Sequence, residues 1–156
     1  MTSRKPYFFA QAKDEARRMA GGTHWAGARA PGLADIERLA AVAWQRLPRE
    51  FRDMCGDVVI RVEDFATDDV LQSMKIESPF DLMGLFHGVS LNNKSVMDPG
   101  SLPNMVFLYR RPMLDYWAEH HETLGDLVTH VLVHEIGHHF GLSDADMEQL
   151  EASAGG

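Results

Sequence analysis

A four-residue rhythm constrains this chain most. Of its eight histidines, six fall between His120 and His139, and three of them, His130, His134 and His138, recur at i, i+4 and i+8. Around them stand Leu124, Leu127, Val128, Val131, Leu132 and Ile136, also at helical intervals. An α-helix places such residues on a histidine flank beside a broad apolar one. Thr123-Leu-Gly-Asp126 is a capping-box pattern with Asp in place of Glu, and Gly141 is a natural stop. A helix is therefore predicted over 123–140.

Within it lies His134-Glu135-Ile136-Gly137-His138, the pattern H-E-x-x-H. Two imidazoles at i and i+4 share a helix face and can reach one Zn²⁺ at about 2.0–2.1 Å. Glu135, one residue past the first histidine, can approach a water in the open coordination position as general base without being a ligand. The chain continues His139-Phe-Gly141-Leu-Ser143-Asp144. Glycine at 141 allows a tight left-handed exit, after which Asp144 can fold back as third ligand.

Other readings of these residues stay open. His130 with His134 is a second i, i+4 pair, but residues eight apart stand roughly 12 Å apart along the axis, so His130 and His138 cannot share an ion. The 134/138 pair is preferred because it alone carries the Glu and Gly context, leaving His130 a supporting or core position. Asp144 also suits the acidic first turn of a last helix, capped by Ser143 and reaching about Leu150; the two roles are compatible, and Asp146 is the next candidate ligand. His139 is turned roughly 100° from His138 and is expected to pack or face solvent. His120 and His121 are expected to end the preceding helix, and His87 lies in a loop.

The remaining chain reads as an α+β fold, a small mixed or antiparallel sheet packed on helices. Leu33 to Leu47 has helical periodicity stopped by Pro48, residues 57–63 and 104–110 are strand-like, and Asp68 to Lys75 suits a short helix. Residues 79–103, rich in Gly, Asn, Ser and Pro, read as a long loop or irregular hairpin. The 104–110 strand is expected at a sheet edge, where it can pair with an extended peptide. That placement makes Tyr109 and Arg111 candidate substrate-binding residues. Pro112 suits the first turn of a following helix. Residues 1–31, with six basic and two acidic side chains, are expected to be a flexible basic arm before a domain spanning 32–156.

Composition narrows the function. A net charge of −8 argues against nucleic acid, whose phosphates need clustered Lys and Arg. No apolar run approaches the roughly 20 residues that span a bilayer. The single cysteine, Cys55, excludes an internal disulfide framework and is expected to be a small, partly buried residue. With no export signal legible, a cytoplasmic location is expected.

H-E-x-x-H-x-x-G-x-x-D resembles the extended zinc-binding consensus of the metzincin metallopeptidases, with Asp as third ligand. More closely, the run from His134 to Met147 resembles a family of small bacterial zincin-like proteins, sometimes called minimal zincins. The likeness is tight over 132–148, looser at Gly84-Leu-Phe-His-Gly88 and Leu108-Tyr-Arg-Arg-Pro112, and absent from 1–31. It implies zinc-dependent hydrolysis of a peptide or protein substrate, with His134, His138 and Asp144 as zinc ligands and Glu135 as general base. True metzincins place a methionine turn well downstream; Met147 stands too close for that and is expected to pack beneath the site. Deformylases share H-E-x-x-H but take a cysteine ligand from a loop that Asp-Met-Cys55-Gly-Asp does not resemble. The alternative is a metal-binding module of little turnover that acts through a protein partner.

Overall fold

In the computed structural model, residues 25–88 and 103–155 are described. The chain divides into two units, Met1–Ala30 and Pro31–Gly156. Of the first, Trp25–Gly27 forms a single 3-10 turn with Trp25 exposed. The rest of the expected basic arm up to residue 24 lies outside the described residues.

The second unit opens with helix α1, Leu33–Arg46. Its Ile36, Ala40 and Ala43 fall on one stripe and are buried, and Leu47, just past the helix, is buried with them. The residue before a proline avoids the helical region, so Leu47 is extended and the helix ends. Pro48 does more than stop α1, however. It precedes a second helix, α2 (Arg49–Cys55), absent from the sequence reading, which buries Phe51 and Cys55 and ends at Gly56 with φ 65°. Strand β1 (Val58–Glu63) follows, then α3 (Asp68–Ser73), whose first turn is capped by Thr67 accepting from the Val70 N–H at 3.3 Å.

Strands β2 (Gly84–His87) and β3 (Asn104–Tyr109) come next. Strand order is β1-β3-β2, with β1 parallel and β2 antiparallel to β3, so the sheet is mixed. The expectation that the 104–110 segment is an edge strand is corrected: β3 is central, and β1 and β2 are the edges among the described strands. The reason is visible in the burial, since Asn104, Val106, Leu108 and Tyr109 are all buried. A strand covered on both faces needs partners on both sides to satisfy its backbone. The 79–103 segment accordingly contains a 3-10 turn at Pro79–Asp81 and the hairpin partner β2; residues 89–102 lie outside the described residues.

Helix α4 (Arg110–Glu119) begins directly from β3, with Pro112 in its first turn, where a missing N–H leaves no intrahelical bond unmade. Helices α5 (Leu124–His139) and α6 (Asp144–Ala154) complete the fold. Val106 and Leu108 on one sheet face, Ile36 and Ala40 of α1, and Leu127, Val128, Leu132 and Ile136 of α5 form the main core with Met147. A smaller cluster of Ala66, Leu71, Leu82 and Tyr109 covers the other sheet face. Six α-helices and three strands, among the described residues, make this an α+β fold. None of the described helices is long and apolar enough to cross a membrane.

Candidate metal centre

Helix α5 is fixed at both ends by its own sequence. Thr123 Oγ1 accepts from the Asp126 N–H at 3.1 Å and donates to Asp126 Oδ2 at 2.7 Å. At the other end, Gly141 takes φ 71°, its N–H bonds the His138 carbonyl at 3.2 Å, and the Leu142 N–H bonds the Gly137 carbonyl at 2.9 Å. This paired closure satisfies two carbonyls that the helix would leave bare and turns the chain back at once. Helix α6 then starts from a full capping box: Ser143 Oγ accepts from the Asp146 N–H, and Asp146 Oδ2 takes the Ser143 N–H, both at 3.2 Å.

Buried Leu127, Val128, Val131, Leu132 and Ile136 hold α5 against the sheet and α1, which leaves His130, His134 and His138 along its more open flank. The rings of His134 and His138 lie 5.6 Å apart, edge to face. Burial, then the neighbouring His130, pushes the His134 pKa below its usual value, against the opposing pull of Glu151 and Asp144. The neutral imidazole that results is the form that binds metal. His138 is exposed.

Glu135 points to the adjoining flank, beside β2. Its carboxylate accepts a hydrogen bond from the Phe86 backbone, yet burial outweighs that bond and the charge of His138, so its pKa is raised. Gly84 makes this approach possible: a Cβ there would stand 2.7 Å from Val131 Cγ1 and 3.0 Å from Glu135 Cγ. His139 stacks on Phe86 with ring centroids 3.9 Å apart, the packing position expected of it. Met147 is fully buried against Gly137, between the two motif histidines in sequence, and so does pack beneath this segment.

Asp144 is the first residue of α6, exposed, and near enough to His134 to favour its charged form. Asp146 is committed to the cap, and its bonds to Ser143 hold its carboxyl below the usual range. Tyr109 is buried, parallel to Phe107 at 6.4 Å, with its phenol pKa raised by burial and then by the charges of Glu63 and Glu135. With Glu63, Leu85, His87 and Phe107 it lines a cavity of about 370 Å³ on the sheet face opposite the main core. Arg111 lies with its guanidinium 5.4 Å from the centre of the Phe65 ring and its backbone N–H on the Asp64 carbonyl. His120 caps the end of α4, its Nδ1 2.7 Å from the Tyr116 carbonyl.

One carboxylate was not picked out from the sequence. Glu151 Oε1 lies 2.9 Å from His130 Nδ1 and 3.1 Å from His134 Nε2. Among the described residues, His130, His134 and Glu151 are the one set of three whose donor atoms all fall within 4.8 Å; His134, His138 and Asp144 do not gather that closely. The signal was present: Glu151 shares the inward face of α6 with Met147 and Ala154, where an apolar residue is the rule. Two imidazoles and a carboxylate are the donor types zinc takes, and the oxygen at their centre is buried with no hydrogen bond. The histidine flank of α5 therefore fits a metal.

A comparison with curated proteins finds no match. A family model described as zincin-like metallopeptidase matches residues 55–154, from the end of α2 to the end of α6. That family implies a metal, typically zinc, and peptidase chemistry. With the match extending over more than half of its length, the chain belongs to the zincin-like metallopeptidases.

Proposed function

We propose that this protein is a zinc-dependent endopeptidase in which His134, His138 and Asp144 hold the ion and Glu135 is the general base. One observation carries the reading. The i, i+4 imidazoles sit on the open flank of α5, while the intervening Glu135 is directed to the adjoining flank, against the backbone of an edge strand. When bound, zinc supplies Lewis acidity that makes a water acidic near neutral pH and polarises the scissile carbonyl. Glu135 takes the proton of the attacking water and returns it to the leaving amine. Strand β2 offers its outer backbone edge to an extended peptide, which sets the scissile bond across α5. Placement of Phe86 on this strand, bonded to Glu135, ties the position of the base to that of the substrate.

Glu135→Gln tests the assignment. The variant keeps the zinc content of the wild type and loses hydrolysis of an unstructured peptide by about 10²–10⁴-fold. Equal hydrolysis by both proteins, or no chelator-sensitive hydrolysis by the wild type, removes the peptidase reading.

A further inference from the structure

We propose that His130, His134 and Glu151 form a second zinc position, one helical turn before the motif pair and sharing His134 with it. The position is built from two elements: α5 supplies both imidazoles and α6 the carboxylate. His130 and His134 stand in the same i, i+4 relation as His134 and His138, and their rings lie 3.9 Å apart.

Two ring nitrogens converge on one carboxylate oxygen. Glu151 Oε1 lies 2.9 Å and 3.1 Å from the two ring nitrogens, but it is buried and neither ring hydrogen-bonds to it. Ligands around a tetrahedral zinc at 2.0–2.1 Å are separated by about 3.3 Å; the two His–Glu separations are slightly shorter, and all three donor atoms lie within 4.8 Å of one another. Two nitrogens and one carboxylate oxygen match zinc's donor preference and leave a fourth position open. The side chains remain partly open, 45% for His130, 28% for His134 and 25% for Glu151, so an ion can enter without unfolding the helix pair.

Sharing has a direct consequence. His134 Nε2 faces Glu151 in this arrangement, and one nitrogen lone pair cannot serve two ions. The upstream position and the motif position are therefore alternatives. An ion held upstream leaves His138 and Asp144 without their partner and keeps the ion away from Glu135.

The test is a Co²⁺ titration of the metal-free full chain, read by visible absorption, with displacement by Zn²⁺ and with helical content followed by circular dichroism. The double variant His138→Ala/Asp144→Ala removes the motif set, and His130→Ala/Glu151→Gln removes the upstream set. Each double variant is expected to bind one Co²⁺, while His134→Ala weakens binding by more than about 100-fold, beyond the loss of an outer partner. If His138→Ala/Asp144→Ala does not fold, His138→Ala alone serves, because that side chain is exposed. Failure of the motif-deleted protein to bind, with His130→Ala/Glu151→Gln binding as tightly as wild type, overturns the upstream position and leaves the proposed peptidase standing. Binding by the motif-deleted protein alone supports the upstream position and overturns the ligand set proposed for catalysis. No binding by wild type overturns both.

Discussion

Gly137 and Met147 are packed so closely that a Cβ on Gly137 would stand 2.5 Å from Met147 Sδ and 2.8 Å from its Cγ. The contact lies beneath the motif helix, and Met147 has no exposed surface through which to withdraw. Gly137→Ala is expected to destabilise the fold by about 1–3 kcal/mol through overpacking, even though Ala is the better helix former. Met147→Ala leaves a cavity and is expected to cost about 2–5 kcal/mol. In the Met147→Ala background the sign of Gly137→Ala reverses, because the clash is gone and the helix preference of about 1 kcal/mol remains. Urea unfolding of the four proteins measures this coupling.

Gly84→Ala attacks the second close approach, between β2 and α5. Its Cβ meets Val131 Cγ1 and Glu135 Cγ, so the strand must lift or Glu135 must turn. A loss of about 1–3 kcal/mol is expected, together with a fall in kcat larger than any change in zinc content. Denaturant unfolding and metal analysis of the same preparation check both. Unchanged turnover would separate Gly84 from the positioning of the base.

Caps and ligands at the start of α6 separate cleanly. Ser143→Ala removes the N-cap and is expected to cost about 1 kcal/mol, recovered in most part by Ser143→Asn. Asp146→Ala is expected to lower the unfolding midpoint without altering zinc affinity, because its carboxylate is bonded to Ser143. Asp144→Ala is expected to do the reverse. Calorimetry and zinc titration on the four variants decide the matter.

Cys55 provides the pH dependence. Burial raises its thiol from 9.0 to about 11, because the folded protein disfavours the thiolate. The neutral thiol is therefore favoured in the fold: its stabilising contribution is complete below about pH 9 and is lost as pH rises from about 9 to about 11. The difference in urea midpoint between wild type and Cys55→Ala is expected to be flat at neutral pH and to fall across that window. A thiol reagent at pH 8 is expected to react only on unfolding.

What the sequence disclosed, and what it withheld, follows from the range of the interactions. Helix α5 was legible to within a residue because Thr123, the apolar stripe and Gly141 are local signals. Strands β1 and β3 were legible as β-branched and apolar runs, but their order was not. The pairing of Val58 with Asn104 spans the intervening chain, and an apolar run does not say which edges are covered. Helix α2 escaped because seven residues after a proline carry too little periodicity. At the candidate site, the motif singled out His134, Glu135 and His138 as candidates. Glu151 needed the fold, because its approach to His130 depends on how α6 lies across α5.

Every candidate donor, from His130 to Glu151, belongs to one helical hairpin closed by the Gly141 turn and the Ser143 box. The sheet, by contrast, requires Val58 to find Asn104. Closure entropy grows with the logarithm of loop length, by about 0.6 kcal/mol per doubling, and non-local contacts slow folding. Bringing these candidate donors together is thus a short-range closure, unlike assembly of the sheet. Orientation of Glu135 is not, because it depends on β2. In the proposed peptidase the candidate metal donors therefore come together by local closure, whereas the general base is set only once β2 is in place.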